Sequence, residues 1–244
     1  MGWKIALPIQ CLVCGLPANA SLSLCASCAD ALPWQPQGCL RCGEVLPEVS
    51  LYQGVCGDCR VRPSVIDRCQ SALCYEAPVD TLVQRFKFRA DFACGRVLAE
   101  LLTRCMSTQY KQHEQYDDTR TGALLVPVPL HPSRQRRRGF NQARELARPL
   151  TRALGIPLSL SVLSRSRRTH TQSESSSAGE RRRNLRNAFQ AHKVGLVGVN
   201  KVILIDDVIT TMSTVLAAAD ALKRAGVSEV EAWSVARVNQ AGRN

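Results

Sequence analysis

The sequence lacks long apolar runs and an obvious secretory signal. Its 244 residues include no stretch of about 18 consecutive apolar residues, so no transmembrane helix is predicted. The apolar residues near the N-terminus are interrupted by Pro8 and precede no obvious cleavage site, which argues against secretion. We therefore expect a cytoplasmic protein without membrane insertion.

The positive charge is concentrated in a segment that contains no lysine. Residues 131–186 include 14 arginines and three acidic residues, a net charge of +11, whereas the rest of the chain has 18 basic and 17 acidic residues. A planar guanidinium makes two hydrogen bonds to one phosphate, so this segment predicts phosphate or nucleic-acid contact. The alternative is a solvated basic surface that only aids solubility. Aromatic residues are also scarce there (Phe140 and Phe189), so we expect limited base stacking and no sequence specificity.

Eight of the 12 cysteines form four C-x-x-C pairs between Cys11 and Cys59. Without a secretory signal, this spacing favours tetrahedral zinc over disulfides or redox chemistry. The simplest wiring has a first quartet (Cys11, Cys14, Cys25 and Cys28) and a second quartet (Cys39, Cys42, Cys56 and Cys59). Crossed pairing and a single zinc ion are the open alternatives. Gly15 and Gly43 follow the first pair of each quartet, where a tight knuckle needs a residue without Cβ.

After the cysteines, strand and helix patterns alternate along the chain, which predicts a mostly parallel α/β sheet. We predict a cysteine-rich module at residues 1–62 and an α/β domain at residues 63–244. Within the domain, residues 107–122 are expected to be a polar connection, and Pro149 is expected to kink or split its helix. The Ser/Arg-rich segment at about 164–186 is interpreted as a mobile lid, with a disordered linker as the alternative.

The most informative stretch is VILIDDVITTMSTV, residues 202–215. Its apolar residues predict a buried strand, and Asp206 and Asp207 follow at the carboxyl end, where open α/β sheets bind ligands. The chain then enters a predicted helix, whose first N–H groups attract an anion. Hydroxyl groups surround that turn (Thr210, Thr211, Ser213 and Thr214). Carboxylates for sugar hydroxyls beside a phosphate cradle indicate a sugar-phosphate site, with two helix-capping acids as the alternative.

The same stretch resembles the phosphoribosyl pyrophosphate (PRPP) motif of type I phosphoribosyltransferases. Three further segments resemble the ComF/GntX family: VPVPLHPSRQRRRGFNQARELA at 126–147, FKF at 86–88 and RRRNLRNAF at 181–189. The C-x-x-C pairs are similar to the zinc-ribbon region of that family. This resemblance covers nearly the whole chain. It implies a type I phosphoribosyltransferase-like sheet flanked by helices, behind a small, double zinc-ribbon module with one or two structural zinc ions.

The resemblance also implies roles for individual residues. Asp206 and Asp207 would be the catalytic pair that contacts the ribose hydroxyls, directly or through Mg²⁺. The loop that follows would hold the 5′-phosphate (Val208, Ile209, Thr210, Thr211, Met212, Ser213 and Thr214). Pyrophosphate or DNA phosphates would face two basic groups, one after the VPVPL strand (Arg136, Arg137 and Arg138) and one in the lid (Arg182, Arg183 and Asn184).

The family is associated with uptake or utilisation of external DNA, including natural transformation. The resemblance therefore implies PRPP and single-stranded DNA as ligands, and proteins of the DNA-uptake machinery as partners. Two alternatives stay open. One is an active Mg²⁺-dependent phosphoribosyltransferase that acts on a nucleobase or another nitrogenous acceptor, and the other is a PRPP-sensing interaction protein.

Met212 departs from the motif, which usually has glycine at this position. Glycine lets the backbone approach phosphate or adopt a positive φ, whereas methionine adds bulk and, at positive φ, strain of about 1 kcal/mol. A side chain that points outward would leave the site intact. We predict that Met212→Gly tightens ligand binding.

Overall fold

The computed structural model describes residues 9–18, 22–47, 51–62, 64–114, 122–165 and 188–239. The helices are α1 (Ala26–Asp30), α2 (Gly57–Val61), α3 (Val79–Arg89), α4 (Phe92–Glu114), α5 (Pro132–Arg138), α6 (Gln142–Leu154) and α7 (Ser213–Arg224). The strands are β1 (Leu51–Tyr52), β2 (Val55–Cys56), β3 (Arg68–Cys74), β4 (Ala123–Pro127), β5 (Leu163–Arg165), β6 (Phe189–Ala191), β7 (Lys201–Ile209) and β8 (Glu229–Arg237). No helix within these ranges is long and apolar enough to cross a bilayer.

The main sheet is parallel and has the strand order β3-β8-β7-β4, as the alternating pattern predicts. Its central strand β7 is buried on both faces, because Val202 and Leu204 enter one core cluster while Ile203 and Ile205 enter the other. Helices α4 and α6 pack on one face of the sheet, and α7 packs on the other. This arrangement explains why β7 reads as a continuous apolar run.

The cysteine-rich residues pack against the edge of this sheet. Trp34, which lies between the two quartets, forms a bridge with Leu73 of β3. The Gln35 N–H donates to the Ala72 carbonyl at 3.0 Å, and the Cys74 N–H donates to the Pro33 carbonyl at 2.8 Å. The segment between the quartets therefore covers the otherwise open edge of β3.

Helix α4 is longer than its apolar pattern predicts, since it continues to Glu114 through half of the expected polar connection. In this extension Tyr110 is buried and packs edge-on against Trp233, with ring centroids 5.8 Å apart. One buried aromatic residue was too sparse a signal within a polar segment. The rest of the expected connection, residues 115–121, lies outside the described ranges.

Residues 132–138, for which we predicted no helix from the sequence, form helix α5. Its boundaries are marked by His131, whose side chain accepts from the Ser133 N–H, by Pro132 in the first turn, and by Gly139 at φ 80°. These are ordinary helix signals, but α5 has no buried residue, so no apolar period revealed it. Pro149 does not split α6, which runs unbroken from Gln142 to Leu154.

Candidate functional site

Each cysteine quartet brings four sulfur atoms together, in the wiring that the spacing favours. The four sulfur atoms of either quartet lie within 4.8 Å of one another. The Cys14 and Cys25 sulfurs are 3.6 Å apart, and those of Cys42 and Cys56 are 3.9 Å apart. A tetrahedron with zinc–sulfur bonds of about 2.3 Å has sulfur–sulfur edges of about 3.8 Å. Both quartets therefore fit a structural zinc ion.

The thiols of the second quartet differ in pKa: Cys39 is shifted toward the thiolate, the form that zinc binds, whereas burial and a hydrogen bond with Cys56 raise the pKa of Cys59 to about 12. A hydrogen bond from the Cys42 thiol, and then the backbone N–H of Cys56, lower the pKa of Cys39 to about 4, although burial opposes the shift. Gly15 and Gly43 have φ of +78° and +69°, which is the conformation that their positions in the sequence predict.

Asp206 and Asp207 lie where β7 extends beyond its neighbour β4. The last paired residue of β4, Pro127, lies opposite Ile205. From Asp206 onward β7 pairs with β8 alone, so both residues lie past the end of β4, at the carboxyl edge of the sheet. This is the position at which parallel α/β sheets bind their ligands.

The two carboxylates have different partners. The Asp207 carboxylate accepts from the Lys87 ammonium at 2.9 Å, and both side chains are more than four-fifths buried. Burial, followed by the negative charge of Asp207, raises the pKa of Asp206 to about 7, although Lys87 and Arg165 act in the opposite direction. Near neutral pH the Asp206 carboxyl is therefore only partly ionised. A divalent cation would favour ionisation of both carboxyls.

The segment that follows, here called the phosphate loop (residues 208–214), leads into α7. Thr210 and Thr211 are exposed at its tip, and the Thr211 and Ser213 hydroxyl oxygens are 2.9 Å apart. Met212 is the N-cap residue of α7, and its side chain makes no capping hydrogen bond. The first N–H groups of a 12-residue helix therefore face the loop without a side-chain cap, as an anion site requires.

Met212 has the backbone conformation of a glycine, with φ 63° and ψ −12°. Its side chain does not point outward, contrary to the arrangement considered from the sequence. It is only 8% exposed and packs in the core, with its sulfur 3.7 Å from the Cys69 sulfur. At this left-handed position Cβ is directed inward. The Met212 side chain therefore lies behind the phosphate loop and does not obstruct it.

Basic side chains from three separate elements approach the carboxylates. Lys87 comes from α3, Arg138 from α5 and Arg165 from β5. Burial lowers the pKa of Arg138, and the negative charge of Asp207 opposes that shift. Burial and the positive charge of Arg134 lower the pKa of Arg165, and the negative charge of Asp206 opposes that shift. Each guanidinium is therefore within electrostatic reach of the acidic pair.

The predicted basic group after β4 divides into two environments. Arg136 and Arg137 are exposed on α5, whereas Arg138 is partly buried. Arg138 donates to the Gln142 Oε1 atom at 3.0 Å, yet its Nε and the Gln142 Nε2 are buried and have no partner among the described residues. Two buried donors without acceptors beside the acidic pair suit an anionic ligand. The other predicted group, Arg182, Arg183 and Asn184, lies outside the described residues.

Exposed aromatic surface at this edge comes from outside the arginine-rich segment. Phe88 of α3 is 69% exposed, and the Arg138 guanidinium lies 5.3 Å from its ring centroid. The expectation of limited stacking counted only Phe140 and Phe189, which are sequence neighbours of the arginines. Phe140 is partly buried and Phe189 is buried, so neither offers the exposed ring that Phe88 offers.

The sequence did not single out Lys87, Arg165 or Gln142 as site residues. Lys87 is the middle residue of FKF, so that motif was a usable signal, but its pairing with Asp207 depends on the packing of α3. Arg165 is the last residue of β5, which pairs with β6 to form the base of the predicted lid. The remainder of the lid, residues 166–187, lies outside the described ranges.

Comparisons with known proteins match both parts of the chain. The family model of a double zinc ribbon domain matches residues 3–60, and that of a phosphoribosyl transferase domain matches residues 136–243. "Competence protein F" of Haemophilus influenzae is 35% identical over 230 residues, which cover 93% of this chain and 96% of that protein. "DNA utilization protein YhgH" of Salmonella typhimurium is 34% identical over 96% of this chain and 99% of its own. "Competence protein ComFC" of Streptococcus pneumoniae is 27% identical over 94% of this chain and 100% of its own.

Proposed function

The chain belongs to the ComF/GntX family of competence and DNA-utilisation proteins, and from this premise we propose that it binds Mg²⁺ and PRPP at the end of β7. We further propose that an arginine-rich face on α5 (Arg134, Arg136 and Arg137) binds single-stranded DNA, and that the protein acts in uptake or utilisation of external DNA. The observation that carries this proposal is the juxtaposition, at one strand end, of an acidic pair, an uncapped helix N-terminus, one buried cation (Arg165) and two partly buried cations (Lys87 and Arg138).

Each part of PRPP has a chemically suitable counterpart in this arrangement. Mg²⁺ prefers carboxylate oxygens, which Asp206 and Asp207 supply, and the same carboxylates accept hydrogen bonds from ribose hydroxyls. The 5′-phosphate suits the phosphate loop and the N-terminus of α7. The pyrophosphate suits Arg138, whose buried donors need acceptors.

The DNA-binding proposal rests on exposed charge and an exposed ring. Arg136 and Arg137, for which the sequence predicts contact with pyrophosphate or DNA phosphates, are exposed, and with Arg134 they give α5 a strongly basic surface. Phe88 adds a surface on which a base can stack. Phosphate contacts and one stacking platform predict binding that is salt-dependent and indifferent to sequence.

This proposal is tested by fluorescence anisotropy with a labelled oligothymidine across a range of salt concentrations. Replacing Arg136 and Arg137 together by alanine removes two phosphate contacts, so the slope of log K against log salt should fall by about 1.4. The control, Arg152→Ala with Arg224→Ala, removes the same charge at the C-terminal ends of α6 and α7, toward the opposite edge of the sheet. An unchanged slope in the first variant, or an equal change in both, would contradict a DNA-binding role for this face.

An active phosphoribosyltransferase is the second candidate, and the position of Arg138 favours it. Charge develops on pyrophosphate as the glycosidic bond breaks, and a partly buried guanidinium stabilises that charge more strongly than an exposed one. Release of pyrophosphate from PRPP, measured in the presence of a nucleobase mixture, separates transfer from binding alone. No release by a protein that binds PRPP would favour the sensing alternative.

A further inference from the structure

Arg237, the last residue of β8, lies between the second quartet and the phosphate loop. It is 3% exposed, and its guanidinium donates to both sides. On the quartet side, Nε donates to the Cys42 carbonyl at 3.1 Å and Nη2 donates to the Glu44 carboxylate at 3.0 Å. On the other side, Nη1 donates to the carbonyls of Ile209 (3.2 Å), Thr210 and Val238 (2.9 Å).

These contacts are mutually dependent because the guanidinium is buried. A buried charge requires a counter-ion and acceptors for its N–H groups. Glu44, which follows the Cys39–Cys42 pair, supplies the counter-ion, and the backbone of the phosphate loop supplies acceptors. If the Cys39–Cys42 turn moves, Arg237 loses its counter-ion, and the loop carbonyls are left to satisfy a buried, unpaired cation. If the loop moves, the buried Arg237 guanidinium loses acceptors for its N–H groups.

A second set of contacts joins the same two elements through β3. The Cys69 N–H donates to the Leu40 carbonyl at 2.8 Å, inside the first C-x-x-C pair of the second quartet. The Cys69 thiol in turn contacts the Met212 sulfur at 3.7 Å. A Cβ at Gly43 would lie 3.4 Å from the Cys69 sulfur and 3.9 Å from the Arg237 Cδ, so the knuckle is packed closely against both links.

Among the described residues, the first quartet is connected to a different element. Its loop is joined to α3 by the Arg85 guanidinium, which donates to the Leu12 carbonyl at 2.8 Å. Across the part of the chain that the structure describes, no hydrogen bond runs from the first quartet to the phosphate loop. The first quartet is therefore joined to α3, whereas the second is joined to the phosphate loop.

We propose that Arg237 is a positioning residue that ties the phosphate loop to the second quartet, so that zinc in this quartet, and not in the first, fixes the conformation of the loop. The consequence for affinity rests on the proposed function, since it presumes that the loop binds the phosphate of PRPP. The consequence for loop conformation does not depend on any ligand.

Hydrogen–deuterium exchange of the peptide that contains residues 208–214 tests the proposal in the full-length, zinc-loaded protein. Cys59→Ser, which removes a ligand from the second quartet, should speed exchange in this peptide. Cys14→Ser, the matched change in the first quartet, should leave it unchanged, with zinc content measured on both variants. Equal exchange in the two variants would overturn the proposal.

Arg237→Gln distinguishes positioning from general stabilisation. It should speed exchange in the loop peptide while both zinc ions stay bound. The double variant with Cys59→Ser should exchange no faster than Cys59→Ser alone, because loss of the quartet has already released the Arg237 link. Additive effects would show that Arg237 and the quartet act separately. If Arg237→Gln does not fold, Glu44→Gln keeps the side-chain size and should give a smaller rise in the same peptide; no rise would count against the link.

A PRPP titration of the same proteins keeps this inference distinct from the proposed function. If the wild type binds PRPP, Cys59→Ser should weaken binding by about fivefold or more, the usual range of coupling between sites, and Cys14→Ser should not. If the wild type does not bind PRPP, the proposed function fails, and the exchange measurements still decide whether the second quartet controls the loop.

Discussion

Met212 provides a quantitative test of the phosphate-loop geometry, because its backbone and its side chain have opposite effects on stability. Its positive φ costs about 1 kcal/mol in any residue with a Cβ. Truncating a buried methionine costs about 2–5 kcal/mol, and we take the low end because Met212 lies at the margin of its core cluster, with 8% of its surface exposed. Packing therefore outweighs strain.

Comparison of Met212→Ala with Met212→Gly separates these two effects. Alanine loses the packing and keeps the strain, so the free energy of unfolding should fall by about 2 kcal/mol. Glycine loses the packing but relieves the strain, so the fall should be about 1 kcal/mol. The glycine variant should thus be the more stable of the two, which is the reverse of their order at an ordinary helical position.

Urea denaturation of the zinc-saturated proteins measures this order. With a slope of about 2.5 kcal/mol per molar urea, the midpoint should fall by about 0.8 M for alanine and about 0.4 M for glycine. An alanine variant as stable as the glycine variant would refute the strained backbone. Two variants as stable as the wild type would refute the buried contact with Cys69. Because the side chain lies behind the loop, the structure also reverses the expectation from sequence: Met212→Gly should bind PRPP no more tightly than the wild type.

Three further predictions concern residues around the carboxylates. The raised pKa of Asp206 means that the folded protein holds this proton more tightly than the unfolded chain, so stability should fall as pH rises from about 4 to about 7. In the zinc-loaded protein without Mg²⁺, the urea midpoint of Asp206→Asn should exceed that of the wild type by more at pH 8 than at pH 4, and an equal gap would contradict the shift. Lys87→Met leaves the Asp207 carboxylate unpaired and should cost about 2 kcal/mol, part of which Asp207→Asn should restore in the double variant; no restoration would mean that the ion pair is not the cause. Phe88→Ala should change stability by less than about 0.5 kcal/mol while weakening oligothymidine binding about tenfold, and unchanged binding would remove Phe88 from the DNA-binding surface.

The sequence predicted the features whose cause is local. Strand β7 is buried on both faces and therefore appears as an apolar run, and Asp206 and Asp207 follow from where that run stops. The quartets follow from spacing alone. The partner of Asp207 could not be predicted in this way, because Lys87 is more than 100 residues away and its position depends on how α3 packs.

The direction of the Met212 side chain was also out of reach of sequence reasoning. It depends on a backbone angle that only the connection between β7 and α7 determines, and on a space beside Cys69 that β3 and the second quartet enclose. Helix α5 was missed for the opposite reason, since its signals are local but include no buried face. The sequence did not indicate a role for Arg237, because it is a single arginine at the end of a largely apolar strand.

The central claim, a Mg²⁺-dependent PRPP site at the end of β7, is tested most directly by calorimetry with PRPP on the zinc-loaded protein. We predict binding that requires Mg²⁺ and is lost in the variant that carries both Asp206→Asn and Asp207→Asn. Absence of binding by the wild type, or equal binding by that variant, would contradict the claim and leave the arginine-rich face and the zinc module as the basis of function.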